Sequence, residues 1–140
     1  MTLSIRPYHE NDEAAVIALW SDCGLVVPQN NPAKDIARKL QVDRDLFLVG
    51  EADGQVVATV IGGYEGHRGW INYLAVAPQF QRLGYGRHLM DVVEARIKDK
   101  GCPKINLQVR NTNLSVIEFY KAIGYGDDHV IGLGKRLEQD

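Results

Sequence analysis

Gln81-Arg82-Leu83-Gly84-Tyr85-Gly86 joins the apolar run Trp70 to Val76 to a helical pattern that begins near Arg87, and this junction decides the fold. Two glycines one residue apart let the backbone approach a ligand closely, because a missing Cβ permits positive φ and removes side-chain bulk. The amides they bare stand at a helix N-terminus, where unpaired N–H groups and the helix dipole favour an anion. The segment therefore reads as a phosphate-gripping turn. Arg82, Arg87 and His88 cluster around it and supply local positive charge, although solvated charges opening a helix would have the same spacing.

Upstream, Leu46 to Ala52 and Gln55 to Tyr64 are rich in β-branched and aromatic residues, with the hairpin signal Asp53-Gly54 between them. The turn Glu65-Gly66-His67-Arg68-Gly69 then leads into Trp70-Ile71-Asn72-Tyr73-Leu74-Ala75-Val76, which Pro78 closes. A three-strand meander ending at the glycine turn is expected. Nearer the start, Asn11 can cap a helix whose buried stripe is Val16, Leu19, Trp20 and Cys23, with Gly24 as its stop. The loop Leu25 to Asn30 leads to a short helix with Asn31 as cap, Pro32 at its first position, and Ile36 and Leu40 inward.

Downstream, Leu89, Val93 and Ile97 repeat every four residues and Gly101 ends that helix. Ile105, Leu107 and Val109 alternate with polar neighbours as a strand, and Asn113 can cap a helix through Val116, Tyr120 and Ile123 that Gly124 stops. Ile131 and Leu133 alternate in a last strand. The expected order is β, α, α, β, β, β, α, β, α, β, a mixed α/β sheet with helices covering its faces.

A chain of 140 residues with 45% hydrophobic and 24% charged content is expected to form a single domain over 1–140. A formal net charge of −2 argues against a dedicated nucleic-acid or anionic-membrane binder, so any anion site must be local. Cys23 and Cys102 form neither a CxxC nor a Cys/His set, and no metal is expected. No run approaches the ~20 apolar residues of a membrane span, and the N-terminus lacks a signal-peptide pattern. These observations read as a cytoplasmic protein with reduced thiols.

Three glycine-rich phosphate sites fail against these residues. A Walker loop needs Lys then Ser or Thr where Arg87-His88 stand. A dinucleotide fingerprint needs a third small residue at Leu89 and an acid near Lys104. Kinase loops need Asp-Phe-Gly and His-Arg-Asp segments that the chain lacks.

Gln81 to Gly86 instead resembles the pattern Gln or Arg, two residues, Gly, one residue, Gly or Ala of the GNAT superfamily of acetyl-CoA-dependent N-acetyltransferases, at the place between strand and helix where that family has it. The stretch Asn113-Leu114-Ser115-Val116-Ile117-Glu118-Phe119-Tyr120-Lys121-Ala122-Ile123-Gly124-Tyr125 resembles the family's other hallmark, an Asn, then Phe-Tyr, then a Gly-aromatic pair. The two motifs and the elements between them cover almost the whole chain.

The resemblance implies a mostly antiparallel sheet of six to seven strands, splayed between the fourth and fifth, flanked by about four helices. It implies that the pantetheine arm of acetyl-CoA lies in the splay against the backbone of Leu74 and Val76, with the Val76 N–H facing the thioester carbonyl as an oxyanion donor. The amides of Arg82, Leu83, Gly84, Tyr85 and Gly86, with Gln81 and Arg87, would take the pyrophosphate. Asn113 matches a residue that contacts the cofactor arm, and a capping role fits it equally. Tyr120 matches a tyrosine that protonates the departing thiolate. It also falls on the apolar stripe with Val116 and Ile123, so packing competes with the acid role.

The family's usual acid on the fourth strand is missing here. A lysine acceptor is only about one part in 2,500 neutral at pH 7, whereas an α-amino group is about one in seven. An acceptor amine of modest pKa is therefore preferred, with Glu65 and His67 as fallback bases. The acceptor is expected to enter near Leu25 to Asn30 and the turn around Glu65. The chain does not choose among a protein N-terminus, a lysine, a polyamine, an amino acid and an aminoglycoside. The alternatives are a non-catalytic acyl-CoA-binding module and an interaction domain without CoA. A monomer or a homodimer through edge strands fits equally.

Overall fold

A computed structural model describes residues 2–140. They form two compact units, residues 2–106 with Asp140, and Leu107–Gln139. The first unit holds a five-stranded sheet in the order β1-β2-β3-β4-β5, with β1 Ser4–Pro7, β2 Phe47–Ala52, β3 Gln55–Tyr64, β4 Gly69–Val76 and β5 Ile105–Asn106. The first four strands pair antiparallel and β5 pairs parallel to β4. Asp53 and Gly54 both take positive φ at the β2–β3 turn, as the two-residue hairpin requires.

Helix α1 (Glu13–Asp22) and α2 (Pro32–Lys39) precede β2, and α3 (Tyr85–Asp99) follows β4. Side chains alternate across a strand, which assigns the helices to faces. Thr59 of β3 points at Trp20 of α1, whereas a Cβ at Gly62 would meet Val93 and Ile97 of α3. Alpha1 and α3 therefore cover opposite faces. The core between them holds Val16, Leu19, Trp20, Phe47, Val49, Val60, Leu89, Val93 and Ile97, all essentially inaccessible to solvent.

The first helix starts differently from the sequence expectation. Asn11 lies inside a 3₁₀ turn, Glu10–Asp12, and α1 begins after it. Asp12 accepts the His9 amide and two bonds from Arg6, at 2.8 and 2.9 Å, so this carboxylate organises the entry in place of an Asn11 cap. Asn31 caps α2 as its sequence indicates, its carboxamide oxygen accepting the Lys34 amide at 3.1 Å.

The second unit contains α4, Leu114–Ala122. The strand expected over Ile105 to Val109 is laddered only through Asn106, although the alternation of burial continues through Leu107 and Val109. The last strand expected around Ile131 and Leu133 is not formed. Both side chains are about nine-tenths exposed, and Gly132 and Gly134 deprive the segment of a packing face and weaken it as a strand. The sheet thus has five strands where six to seven were expected.

Candidate active site

Strand β4 carries a bulge. Thr59 faces Ala75 and Ile61 faces Asn72, so Tyr73 and Leu74 together oppose Val60. Tyr73 sits at φ +51, a conformation that costs a bulky residue about 1–3 kcal/mol. Its surroundings hold it there. The ring stacks on Trp20 at 3.8 Å, its carbonyl accepts the Thr59 hydroxyl at 2.9 Å, and its own hydroxyl donates to Asp35 Oδ2 at 2.6 Å. Thr59 in turn accepts the Trp20 indole N–H at 2.9 Å, so both its hydrogen-bonding roles are filled. Burial first, and Asp35 second, push the Tyr73 phenol well above the ordinary tyrosine range.

Beyond the bulge, β4 presents an open edge. The Ala77 amide donates to the Val57 carbonyl at 2.8 Å, and Ala58 stands opposite Val76. Bonded and non-bonded pairs alternate along an antiparallel ladder, so Ala58–Val76 is a non-bonded pair and Val76 turns its N–H and C=O away from β3. On that edge the ladder to β5 covers only Gly69 and Trp70. The Val76 carbonyl is taken by the Gln81 side-chain amide at 2.9 Å and by the Cys23 thiol at 3.3 Å. Leu74, the second bulge residue, is half-buried.

Gln81 thereby ties the end of β4 to the glycine turn. A 3₁₀ turn, Pro78–Phe80, leads through Gln81 to Arg82 at φ +65 and Gly84 at φ +84, the residue from which α3 starts. The first α3 amide to find an intrahelical acceptor is that of His88, bonded to the Gly84 carbonyl at 3.0 Å. No side chain caps this helix, and its first turn holds no acid. The amides of Tyr85, Gly86 and Arg87 are left without an intrahelical acceptor, the opposite of α2, where Asn31 takes one. Arg82, Leu83 and Arg87 are exposed around them. The Tyr85 side chain turns inward, its buried hydroxyl lacking a partner among the described residues, so only its amide faces the turn.

In the second unit Tyr120 is buried on α4, edge-on to Phe119 and Tyr125 with ring centroids 5.2 and 5.6 Å away. Burial pushes its phenol up to about 12. Asn113 occupies the N-cap position of α4, but its side chain makes no capping bond and, among the described residues, accepts the Ser115 hydroxyl at 3.5 Å. The carboxamide stays exposed.

Glu65 and His67 lie exposed in the β3–β4 turn. The Glu65 carboxylate accepts the amides of Arg68 and His67, which lower its pKa, so it serves as the brace of that turn.

A cavity of about 400 Å³ opens beside the bulge, lined by Asn30, Asp35, Lys39, Ile61, Asn72 and Tyr73. Asn30 belongs to the loop the sequence marked as the acceptor mouth, but the charged lining was not foreseen. Asp35 and Lys39 are four residues apart and so share one face of α2. That spacing beside a buried Ile36 was the available signal. Arg38 approaches the other Asp35 oxygen at 3.7 Å and is itself paired with Asp140 at 2.9 Å. Lys39 donates to the Gly62 carbonyl at 2.5 Å, and burial lowers its pKa.

An open strand edge leading into an uncapped, base-flanked helix N-terminus agrees with what a comparison of sequences finds. A family model described as the acetyltransferase (GNAT) family matches residues 9–125. The chain belongs to the GNAT acetyltransferase family. As a GNAT chain it is 46% identical over 138 residues to a protein named as an acetyltransferase from Pectobacterium atrosepticum, covering 99% of this chain and 98% of that one. Its fold is similar to that of Ard1 from Thermoplasma volcanium, with a TM-score of 0.80 and 25% identity over 89% of this chain and 82% of the other. It is also similar to PaiA N-acetyltransferase from Thermoplasma acidophilum, solved in complex with coenzyme A, with a TM-score of 0.81, 19% identity and 94% of each chain covered. The GNAT chain is thus an N-acetyltransferase, and among its described residues no helix is long and apolar enough to cross a membrane.

Proposed function

We propose that this GNAT chain transfers the acetyl group of acetyl-CoA directly to an amine, within one domain spanning 1–140. The observation that carries the reading is the continuity of the Val76 edge with the α3 N-terminus, joined by the Gln81 to Val76 hydrogen bond. A pantetheine arm running along that edge beside Leu74 and Val76 would deliver its pyrophosphate to the amides of Arg82 through Gly86. Arg82 and Arg87 add charge to that anion site, as phosphate recognition at a helix N-terminus requires. Asn113, with its carboxamide unspent on capping, would contact the arm.

In the reaction the amine nitrogen attacks the thioester carbonyl carbon, and the carbonyl oxygen gains negative charge. The Val76 N–H donates to that oxygen, an interaction worth about 3 kcal/mol of barrier lowering. Collapse of the adduct breaks the carbon–sulfur bond, and Tyr120 passes its phenolic proton to the departing thiolate. A phenol held near 12 remains protonated through the neutral range, which keeps the donor loaded. The attacking nitrogen loses one proton to solvent or to a base, for which Glu65 and His67 are the candidates in the turn before β4, and the Tyr120 phenolate regains its proton from solvent. Two free thiols, Cys23 and Cys102, suit a cytoplasmic setting.

The test is CoA release from acetyl-CoA with a panel of amines, alongside a direct titration with CoA. Binding with amine-dependent release supports the reading. Binding without release by any amine supports a non-catalytic acyl-CoA-binding module, and failure to bind CoA overturns both.

A further inference from the structure

The cavity beside the β4 bulge carries both signs of charge, and this bears on what the enzyme acetylates. Its wall is built from one face of α2, the preceding loop residue Asn30, and side chains of β3 and β4. On one side the Asp35 carboxylate is fixed by the Tyr73 hydroxyl at 2.6 Å, and Tyr73 is fixed by its stack on Trp20. On the other side the Lys39 ammonium is fixed by the Gly62 carbonyl. The two charged groups are thus held by different partners, Arg38 also standing 3.7 Å from the second Asp35 oxygen, and both residues line the same cavity. Asn30 and Asn72 add neutral donors and acceptors to the lining, and Ile61 adds an apolar side chain. The cavity reaches Asn72 and Tyr73, on the same strand as Leu74 and Val76, so a molecule bound in it lies along the strand that carries the proposed thioester contacts.

We propose that this cavity is the acceptor site and that the acceptor is a small zwitterionic amine of the free amino acid class, docking with its ammonium end toward Asp35 and its anionic group toward Lys39 and reacting once the ammonium has given one proton to solvent. The inference rests on the acetyltransferase reading and narrows it. A pocket of about 400 Å³ admits a molecule of that size with room for its side chain. A half-buried ammonium opposes polycations, so Lys39 acts against polyamines and aminoglycosides as well as for a carboxylate. Burial works against the Lys39 charge, and an incoming carboxylate would compensate it.

The experiment measures kcat/KM for CoA release with free L-amino acids, each against its own amide, and with spermidine, kanamycin and a lysine-bearing peptide. At least one free amino acid is expected to exceed its amide by about tenfold or more, the size of one well-placed charge contact, and to exceed every polycation. Lys39→Gln should bring the acid-to-amide ratio to within about twofold, and Lys39→Arg should keep it above about fivefold, because the charge and not the shape sets the preference. CoA affinity, read by titration in each variant, should stay unchanged. The inference is overturned if a polycation or the peptide is the best acceptor, if no zwitterion reacts, or if Lys39→Gln leaves the ratio intact. Loss of CoA binding in the unaltered protein overturns the acetyltransferase reading itself, and so fails in a distinguishable way.

Discussion

Val76 is a residue whose backbone carries the proposed chemistry, and that gives it an unusual mutational signature. Its N–H lies on the edge of β4 away from β3, so Val76→Pro removes the oxyanion donor without deleting a β3–β4 ladder bond. The expected loss in kcat is about 100-fold or more, against a change of less than about threefold for Val76→Ile, as steady-state rates would show. Tyr120→Phe should lower kcat by about 100-fold with little change in KM, since in the proposed mechanism the phenol acts only as the thiolate leaves. Its burial places any alkaline loss due to deprotonation of this group above the ordinary tyrosine range, near pH 12. Tyr85 gives the opposite outcome. Its buried hydroxyl lacks a partner among the described residues, so Tyr85→Phe should raise stability by about 1 kcal/mol in urea unfolding while leaving CoA affinity unchanged, because the proposed contact is made by the Tyr85 amide alone.

At the scale of elements, the structure is set by how α3 meets β3 and β4. The space above Gly62 is filled by Val93 and Ile97, and an added Cβ would stand 2.7 Å from Val93 Cγ2. Gly62→Ala must push α3 off the sheet, and a loss of about 1–3 kcal/mol is expected by chemical denaturation. Gly84 has open space around it but a φ of +84, so Gly84→Ala strains the start of α3 by conformation rather than by collision. The meander and the helices were legible because each is a local pattern: Asp53-Gly54 forces a hairpin, Asn31-Pro32 opens α2, and Leu89, Val93 and Ile97 make a four-residue stripe. Ile131 and Leu133 misled for the same reason, since alternation without a packing partner does not make a strand. The turn from Gln81 to Gly86 was readable as an uncapped helix start. Asp35 beside Tyr73 was not, because the two are 38 residues apart and meet only through the aromatic stack that the β4 bulge sets up.

At the scale of the whole molecule, one ionic cluster makes stability depend on acid. Arg6 links Asp12 at 2.8 Å to Glu51 at 2.6 Å, joining β1, the turn before α1 and β2. The Arg6 guanidinium holds the Asp12 carboxyl below the usual aspartate range, with the His9 amide adding to it. A depressed carboxyl stabilises the fold above its unfolded pKa, and that contribution is lost as pH falls through the folded value. Stability should therefore be level above about pH 4 with respect to this group and decline below it. Asp12→Asn should be less stable at pH 7 and show a flatter decline in acid, measured by thermal unfolding across that range. The proposed donor surface runs from the Val76 edge to the Gln81 to Gly86 turn and would hold acetyl-CoA by its pyrophosphate. Calorimetric titration compares CoA with pantetheine, which lacks the pyrophosphate together with the 3′-phosphoadenosine. CoA should bind about 100-fold tighter or more, and the gap should shrink in Arg82→Gln with Arg87→Gln. Equal affinity for the two ligands, or a gap untouched by the double substitution, would show that Arg82 and Arg87 do not hold the pyrophosphate.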